Sequence, residues 1–255
     1  MLRDYPLVAA SNPAPRTVYA PTGAKEMATN LRHWYGDIQN QGNFGSCTAF
    51  ASLQFLMALR KMDGLPTMEP SYFANYEKER EMTNTVTQDV GATIDAAVAV
   101  LEQYGAMPAV DDPYTPNDFA LAPPAQDWDA TYRLNPAQVQ RIQHEHILEH
   151  MLDAFANGLV TMGGITCFAE LEQDAVAMTG YLSMPANQNQ PKGGHALNFI
   201  GNDPVGRLVL AINQWTNRFG IKQPESLQGC FWLPYEYIHE YAYDVYVGFP
   251  ANKVA

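Results

Sequence analysis

Cys47 is the residue whose setting most clearly predicts chemistry, because it begins an apolar segment directly after a glycine-containing turn. We expect a helix from Cys47 to Met62, ended by Gly64. Its only charged residues are Arg60 and Lys61, and a helix that is apolar on all faces is expected inside a protein. Unpaired N–H groups and the positive dipole end of a helix N-terminus stabilise an anion. The position therefore predicts a lowered pKa for the Cys47 thiol and a nucleophilic thiolate.

The residues around Cys47 resemble the nucleophile segment of the papain-like cysteine peptidases, which reads C-G-S-C-W-A-F at the head of a central helix. Phe44 stands where secreted members have a disulfide-forming cysteine, and Thr48 replaces the usual tryptophan. The likeness is therefore closer to the bacterial and viral branch with a G-S-C-T-A core. The matching residues are Gln41, Gly45, Ser46, Cys47, Ala49 and Phe50.

Two further segments resemble the same family in the expected order. Gly193-Gly194-His195 is similar to the start of its G-G-H-A strand, about 150 residues after Cys47, as expected for the histidine. Asn213-Gln214-Trp215 is similar to its N-S-W element, with glutamine in place of serine. Three motifs in the right order and spacing are far more specific than any one of them.

The resemblance implies roles for four residues. Cys47 is expected to be the nucleophile and His195 the general acid and base. Asn213 is expected to orient the imidazole. Gln41, six residues before Cys47, is expected to bind the oxyanion together with the Cys47 backbone N–H. No metal ion or organic cofactor is required.

Two more residues are candidates for substrate binding. Gly91 stands where the family presents a small residue beside the substrate backbone, and glycine suits such a close approach. A loop glycine that simply precedes a helix is an equally good interpretation. Trp215 is expected to shield the contact between Asn213 and His195 from water and to border the substrate site.

The fold implied by the resemblance is α+β and papain-like, with two lobes and a cleft between them. The left lobe would be mainly helical and contain the Cys47 helix, and the right lobe would be an antiparallel, barrel-like β structure. We expect one catalytic domain over residues 1–255. It would comprise an N-terminal arm at 1–30, a helical lobe at about 31–130 and a β lobe at about 131–255.

Hydrophobic periodicity predicts the elements of each lobe. Glu69-Pro70-Ser71 opens a helix that runs through Arg80, and a second helix starts near Ile94 and ends at Gly105. A long loop is expected at 111–136, followed by an amphipathic helix at 137–157. Short β-rich segments then predict strands at 159–168, 195–202, 207–214, 229–233 and 243–249.

Composition limits the partners. The 255 residues carry 15 Lys and Arg against 27 Asp and Glu, a net charge of −12, which argues against nucleic-acid binding. No segment approaches the roughly 18 apolar residues of a membrane span. With Cys47 catalytic, Cys167 and Cys230 could form one disulfide, although core packing is the default expectation. The N-terminus lacks a signal-peptide pattern, so we expect a cytoplasmic protein, or, for a viral one, a place in the particle or the host-cell cytoplasm.

A zinc site is a competing interpretation. His146-Ile147-Leu148-Glu149-His150 reads H-x-x-E-H, the inverted zinc-protease signature, and histidines at i and i+4 share a helix face. Such a site needs a third protein ligand and a pocket, whereas a solvated helix face explains these residues more simply. The zinc interpretation also leaves Cys47, His195 and Asn213 unexplained together.

The sequence therefore predicts a cysteine endopeptidase that acts on peptide or protein substrates through a Cys47 thioester. One alternative is an idle papain-like fold used for binding or as a structural component, because a fold alone does not prove turnover. Another is a thiol acyltransferase that acts on a non-protein peptide, such as a cell-wall cross-link.

Overall fold

The computed structural model describes residues 5–6, 15–114 and 128–254. At its centre is helix α1, Cys47–Met62, whose first ten residues are all buried. Gly64 adopts φ +68° after the helix, and the Leu65 N–H donates to the Arg60 carbonyl over 2.8 Å. This closing hydrogen bond ends the helix in the manner predicted for glycine.

Two further helices pack beside α1 and complete the helical side of the described chain. Helix α2, Tyr72–Met82, follows Ser71, whose hydroxyl accepts from the Ala74 N–H over 3.0 Å. Helix α3, Ile94–Gln103, follows Thr93, which caps it in the same way. Both predicted helices are confirmed. Each begins at a side-chain cap, which explains where it starts.

The sheet contains all five predicted strands. Its strands are β1 Tyr5–Pro6, β2 Thr29–Asn30, β3 Val139–Arg141, β4 Val160–Cys167, β5 Gly193–Asp203, β6 Leu208–Ile212, β7 Cys230–Pro234 and β8 Ala242–Gly248. The strand order is β3-β8-β4-β5-β6-β7 with antiparallel neighbours. Strands β1 and β2 also pair with β5, β1 in parallel and β2 antiparallel. Most central positions of β4, β5 and β6 are buried, so the core lies between this sheet and α1.

The single helix predicted at 137–157 is wrong. Its first part is strand β3, in which Val139 pairs with Gly248 of β8 and Arg141 pairs with Tyr246. Only its end is α-helical, as α4, Ile147–Ala156. Val139 is buried by this pairing, so tertiary strand pairing overrides a local spacing that also fits a helical stripe.

Short helices α5, Asp174–Thr179, and α6, Tyr235–Tyr241, accompany the sheet and were not anticipated. The two sides of the molecule are joined by a hydrogen bond from the Asn198 amide of β5 to the Ala51 carbonyl of α1, over 3.0 Å. This contact lies one turn from Cys47 and three residues from His195, so it helps to fix the two elements that carry the predicted catalytic residues. Among the described residues, none of the helices is long and apolar enough to cross a membrane.

Candidate active site

Cys47 is the first residue of α1 and lies against strand β5. The backbone N–H of Ala196, the residue that follows His195, acts to lower the pKa of the Cys47 thiol. Cys47 and His195 are each only 1% exposed. The structure therefore brings the head of the predicted nucleophile helix to the strand that carries the predicted general base.

His195 is held by the two residues predicted to support it. Its Nε2 lies 3.1 Å from Oδ1 of Asn213, in a fully buried contact. Asn213 directly follows strand β6, and its backbone N–H donates to the Gly229 carbonyl over 2.9 Å. The Trp215 ring stacks on the imidazole with centroids 5.2 Å apart. This packing keeps water from one face of the histidine.

Gln41 lies in the turn before α1 and donates two hydrogen bonds, one within this turn and one to the segment that contains Asn213. Its side-chain N–H donates to the Phe44 carbonyl over 2.9 Å, within the turn that leads to Cys47. Its backbone N–H donates to the Gln214 carbonyl over 2.9 Å, next to Asn213. The oxyanion candidate is therefore tied both to the nucleophile turn and to the segment that orients His195.

Gly91 is linked to the nucleophile turn through two side chains. It is buried with φ +72°, and its N–H donates to the Tyr76 hydroxyl over 3.1 Å. Tyr76 donates to Asp89 over 2.6 Å, and Asp89 also accepts from the Gly45 N–H over 3.0 Å. The positive φ requires the conformational freedom of glycine.

Known structures with the same architecture are cysteine proteases. Xylellain, a cysteine protease from Xylella fastidiosa, superposes with a TM-score of 0.83 at 23% identity, over 98% of this chain and 97% of that one. Digestive procathepsin L 3 of Tenebrio molitor gives a TM-score of 0.69 at 16% identity, over 92% of this chain and 74% of that one. The fold is papain-like. No profile of a known protein family matches the chain.

A viral relative supports the same assignment. An uncharacterized peptidase C1-like protein of Acanthamoeba polyphaga mimivirus is 27% identical over 206 residues. The match covers 78% of this chain and 64% of that protein, so the chain spans just under two thirds of the relative's length. The resemblance to the papain-like cysteine peptidases, first seen in the three sequence motifs, is thereby confirmed.

The protonation of Cys47 in this papain-like fold differs from the expectation. Burial raises the pKa of the thiol to about 12, although the backbone N–H groups of Ala196, Thr48 and Cys47 itself act in the opposite direction. The predicted lowering of the pKa by the helix N-terminus alone is therefore wrong, because desolvation of the thiolate outweighs it. A thiolate here requires a compensating positive charge beside it.

Thr48, which replaces the family's tryptophan, is part of a buried polar cluster behind the nucleophile. Its hydroxyl donates to Glu79 of α2, and the Asn75 amide donates to the other oxygen of that carboxyl group over 2.7 Å. Glu79 is fully buried, and this burial raises its pKa to about 8. The cluster joins α2 to the second residue of α1.

Sequence reasoning missed Asp89, Tyr114 and Glu79 as neighbours of the site. Tyr114 fell in the segment predicted as a crossing loop, half of which, at 115–127, lies outside the described residues. Asp89 is two positions before Gly91, which is the one local signal that could have drawn attention to it. The contacts of all three connect residues far apart in the chain, so no short-range periodicity reveals them.

The H-x-x-E-H segment lies at the start of α4, where His146 and Glu149 are exposed and His150 is half-buried, in agreement with a solvated helix face. His146 precedes α4 and stacks on His150 with ring centroids 5.0 Å apart. The His146 Nδ1 lies 3.4 Å from a Glu149 oxygen, and His150 packs edge-on against Tyr19. Within the described residues, no group of three or more His, Cys, Asp or Glu side chains could hold a metal ion.

Proposed function

We propose that the protein is a cysteine peptidase that hydrolyses peptide bonds through a Cys47 thioester. The contact of His195 Nε2 with Asn213 Oδ1 at 3.1 Å carries this proposal. An amide oxygen can only accept, so Nε2 bears a proton and Nδ1 is the nitrogen that exchanges a proton with Cys47. This is the arrangement needed for a histidine that activates a thiol while a third residue orients it.

In the proposed reaction, the Cys47 proton moves to His195 as the sulfur attacks the scissile carbonyl carbon. Because the pKa of Cys47 is raised, the thiolate forms only when the proton passes to His195. The positive imidazolium then offsets the buried negative charge of the sulfur. The carbonyl oxygen becomes an oxyanion bound by the Gln41 side-chain N–H and the Cys47 backbone N–H. The C–N bond then breaks, and His195 gives its proton to the leaving amine.

The second half of the reaction regenerates the enzyme. His195 takes a proton from water, and the resulting hydroxide attacks the thioester carbon. The C–S bond breaks, the peptide acid is released, and Cys47 regains its proton. Gly91 and Trp215 would border the substrate, while the net charge of −12 favours basic peptide segments among possible substrates.

Hydrolysis of a fluorogenic peptide library tests the proposal. We expect turnover by the native protein and its loss in Cys47→Ala and His195→Ala. Limiting iodoacetamide at about pH 6 should alkylate Cys47 faster than Cys167 and Cys230, because protonated thiols are poor nucleophiles and in the proposed reaction only Cys47 can pass its proton to His195. All three thiols are free, and burial raises the pKa of each, so the other two are internal controls.

The His195 variant separates a catalytic pair from a merely exposed thiol. In His195→Ala the selective labelling of Cys47 should disappear, as read by peptide mapping and mass spectrometry. If Cys47 reacts no faster than Cys167 and Cys230 in the native protein, and no peptide is hydrolysed, the protein is an idle fold and the proposal is wrong.

A further inference from the structure

Tyr114 connects the two ends of the turn that carries the oxyanion candidate and the nucleophile. Its hydroxyl donates to the Gln41 carbonyl over 2.8 Å and lies 2.8 Å from the Ser46 hydroxyl. A phenol has one proton, and a carbonyl cannot donate, so Ser46 must donate to Tyr114. One hydroxyl group therefore spans Gln41 and the residue before Cys47.

The Tyr114 ring is held in place by aromatic contacts. Phe44, Phe50 and Phe73 meet it at nearly right angles, with centroids 6.4, 5.2 and 5.9 Å away. Edge-to-face contacts of this kind are favourable and directional. Burial also raises the pKa of Tyr114 to about 12, so its hydroxyl remains a donor at neutral pH.

The Gln41 backbone is consequently fixed from both sides. Tyr114 binds its carbonyl oxygen, and the Gln214 carbonyl binds its N–H. Ser46 is fully buried, and the helix-capping position it occupies sets the direction of the Cys47 N–H. Loss of the Tyr114 hydroxyl would leave the Gln41 carbonyl and the Ser46 hydroxyl without this partner, at a buried place where unmet hydrogen bonds are costly.

We propose that Tyr114 is a positioning residue for the oxyanion site, where its hydroxyl sets the distance between Gln41 and the Cys47 backbone N–H. This inference rests on the proposed peptidase function. Tyr114 touches neither the reacting sulfur nor the substrate in this role. Its effect is exerted through the two donors that bind the oxyanion.

Tyr114→Phe is the variant that removes the hydroxyl and keeps the ring. We expect kcat for an amide substrate to fall by about 10- to 100-fold with little change in KM, since a misplaced donor costs transition-state binding. Tyr237→Phe is the control, because Tyr237 is buried and donates its hydroxyl to the Thr166 carbonyl of β4 over 2.7 Å, outside the turn. The control should keep the native kcat even if both variants lose similar thermal stability.

Two reagents that react at Cys47 distinguish positioning of the oxyanion site from a general structural loss. A peptide aldehyde adds the thiol across its C=O bond, so its oxygen occupies the oxyanion site, and Tyr114→Phe should bind it about 10- to 100-fold more weakly. Iodoacetamide is attacked at a saturated carbon and forms no oxyanion. Its rate with Cys47 should stay within about twofold of the native rate, whereas a disturbed Cys47 and His195 pair would slow it.

The outcomes separate this inference from the proposed function. Equal aldehyde affinity in the native protein and Tyr114→Phe would overturn the positioning role, as would a parallel loss of iodoacetamide reactivity. The aldehyde measurement does not need turnover, so it decides the role of Tyr114 even if no substrate is hydrolysed. Absence of hydrolysis and of selective Cys47 alkylation in the native protein would instead overturn the proposed function and this inference with it.

Discussion

At the scale of single residues, the site depends on how the His195 ring is fixed. Asn213 Oδ1 lies 3.1 Å from Nε2, and Trp215 covers one face of the ring. Asn213 is fully buried, and its backbone is fixed by the Gly229 carbonyl. A side chain held this firmly can select one imidazole tautomer and one ring orientation, which is what proton exchange with Cys47 requires.

Asn213→Ala should lower kcat by about 100-fold and change KM less, because the lost effect is positioning in the transition state. Steady-state kinetics on the best library substrate measures both constants. Asn202→Ala is the matched control, since Asn202 is also buried and its amide donates to the Tyr235 hydroxyl over 3.0 Å, away from His195. A change confined to KM in Asn213→Ala would place this residue in a substrate subsite instead.

At the scale of elements, α1 and α2 share a carboxyl group that has no access to solvent. Glu79 accepts from Thr48 and Asn75, and burial raises its pKa to about 8. An unfolded glutamate has a pKa near 4.3. Between about pH 5 and pH 8 the folded protein therefore binds a proton that the unfolded chain does not, so the free energy of unfolding falls as pH rises through this range.

Glu79→Gln should remove this dependence, because a neutral amide can accept from Asn75 and donate to Thr48. We expect native stability near pH 5 and a gain on the order of a few kcal/mol near pH 8, measured by urea unfolding at both pH values. Burial also raises the pKa of Glu77 to about 8, so part of the slope should remain. The exposed Glu81→Gln on the same helix is the control.

A slope unchanged in Glu79→Gln would mean that this carboxyl group is ionised in the folded protein. A loss of stability near pH 5 would have a different meaning. It would show that the amide does not replace the hydrogen bonds of the protonated acid, and that the cluster requires the carboxyl group.

The elements that could be predicted are those whose determinants lie within the element. Helix α1 follows from an apolar run ended by Gly64, and the five strands follow from short β-rich segments between turn residues. The strand at Val139 could not be predicted, because the local spacing there also fits a helical stripe and only the pairing with the distant Gly248 makes it a strand. The same limit applies to the candidate site. Sequence motifs point to Cys47 and His195, whereas the hydrogen bonds of Tyr114 to Gln41 and Ser46 join residues that are far apart in the sequence.

At the scale of the whole molecule, one carboxylate ties the N-terminal arm to the β side. Asp153 of α4 accepts from the Tyr19 hydroxyl over 2.6 Å, the Thr22 N–H over 3.1 Å and the Ala24 N–H over 2.8 Å. Burial acts to raise the pKa of Asp153, but these donors outweigh it and hold the pKa below its ordinary value. The arm then continues into β2, which pairs with β5 at Asn202.

Asp153→Ala should release the arm without disabling the site. We expect the free energy of unfolding to fall by about 2 kcal/mol, the order for lost hydrogen bonds to a buried charge, and the Ala24 amide to exchange its hydrogen at least about tenfold faster. Because the folded pKa is lowered, the stabilisation is complete at neutral pH and is lost as pH falls below about 4. The difference between native and variant stability should therefore shrink in acid.

Glu149→Gln is the control for this prediction, because Glu149 lies on the same helix with a side chain 77% exposed. The Ala24 exchange rate and the free energy of unfolding of Glu149→Gln should both stay close to the native values. Peptide hydrolysis by Asp153→Ala should keep the native kcat, since β4 and β6 still flank β5 and hold His195 in the sheet. If kcat falls together with arm protection, the arm contributes to the active site as well as to stability.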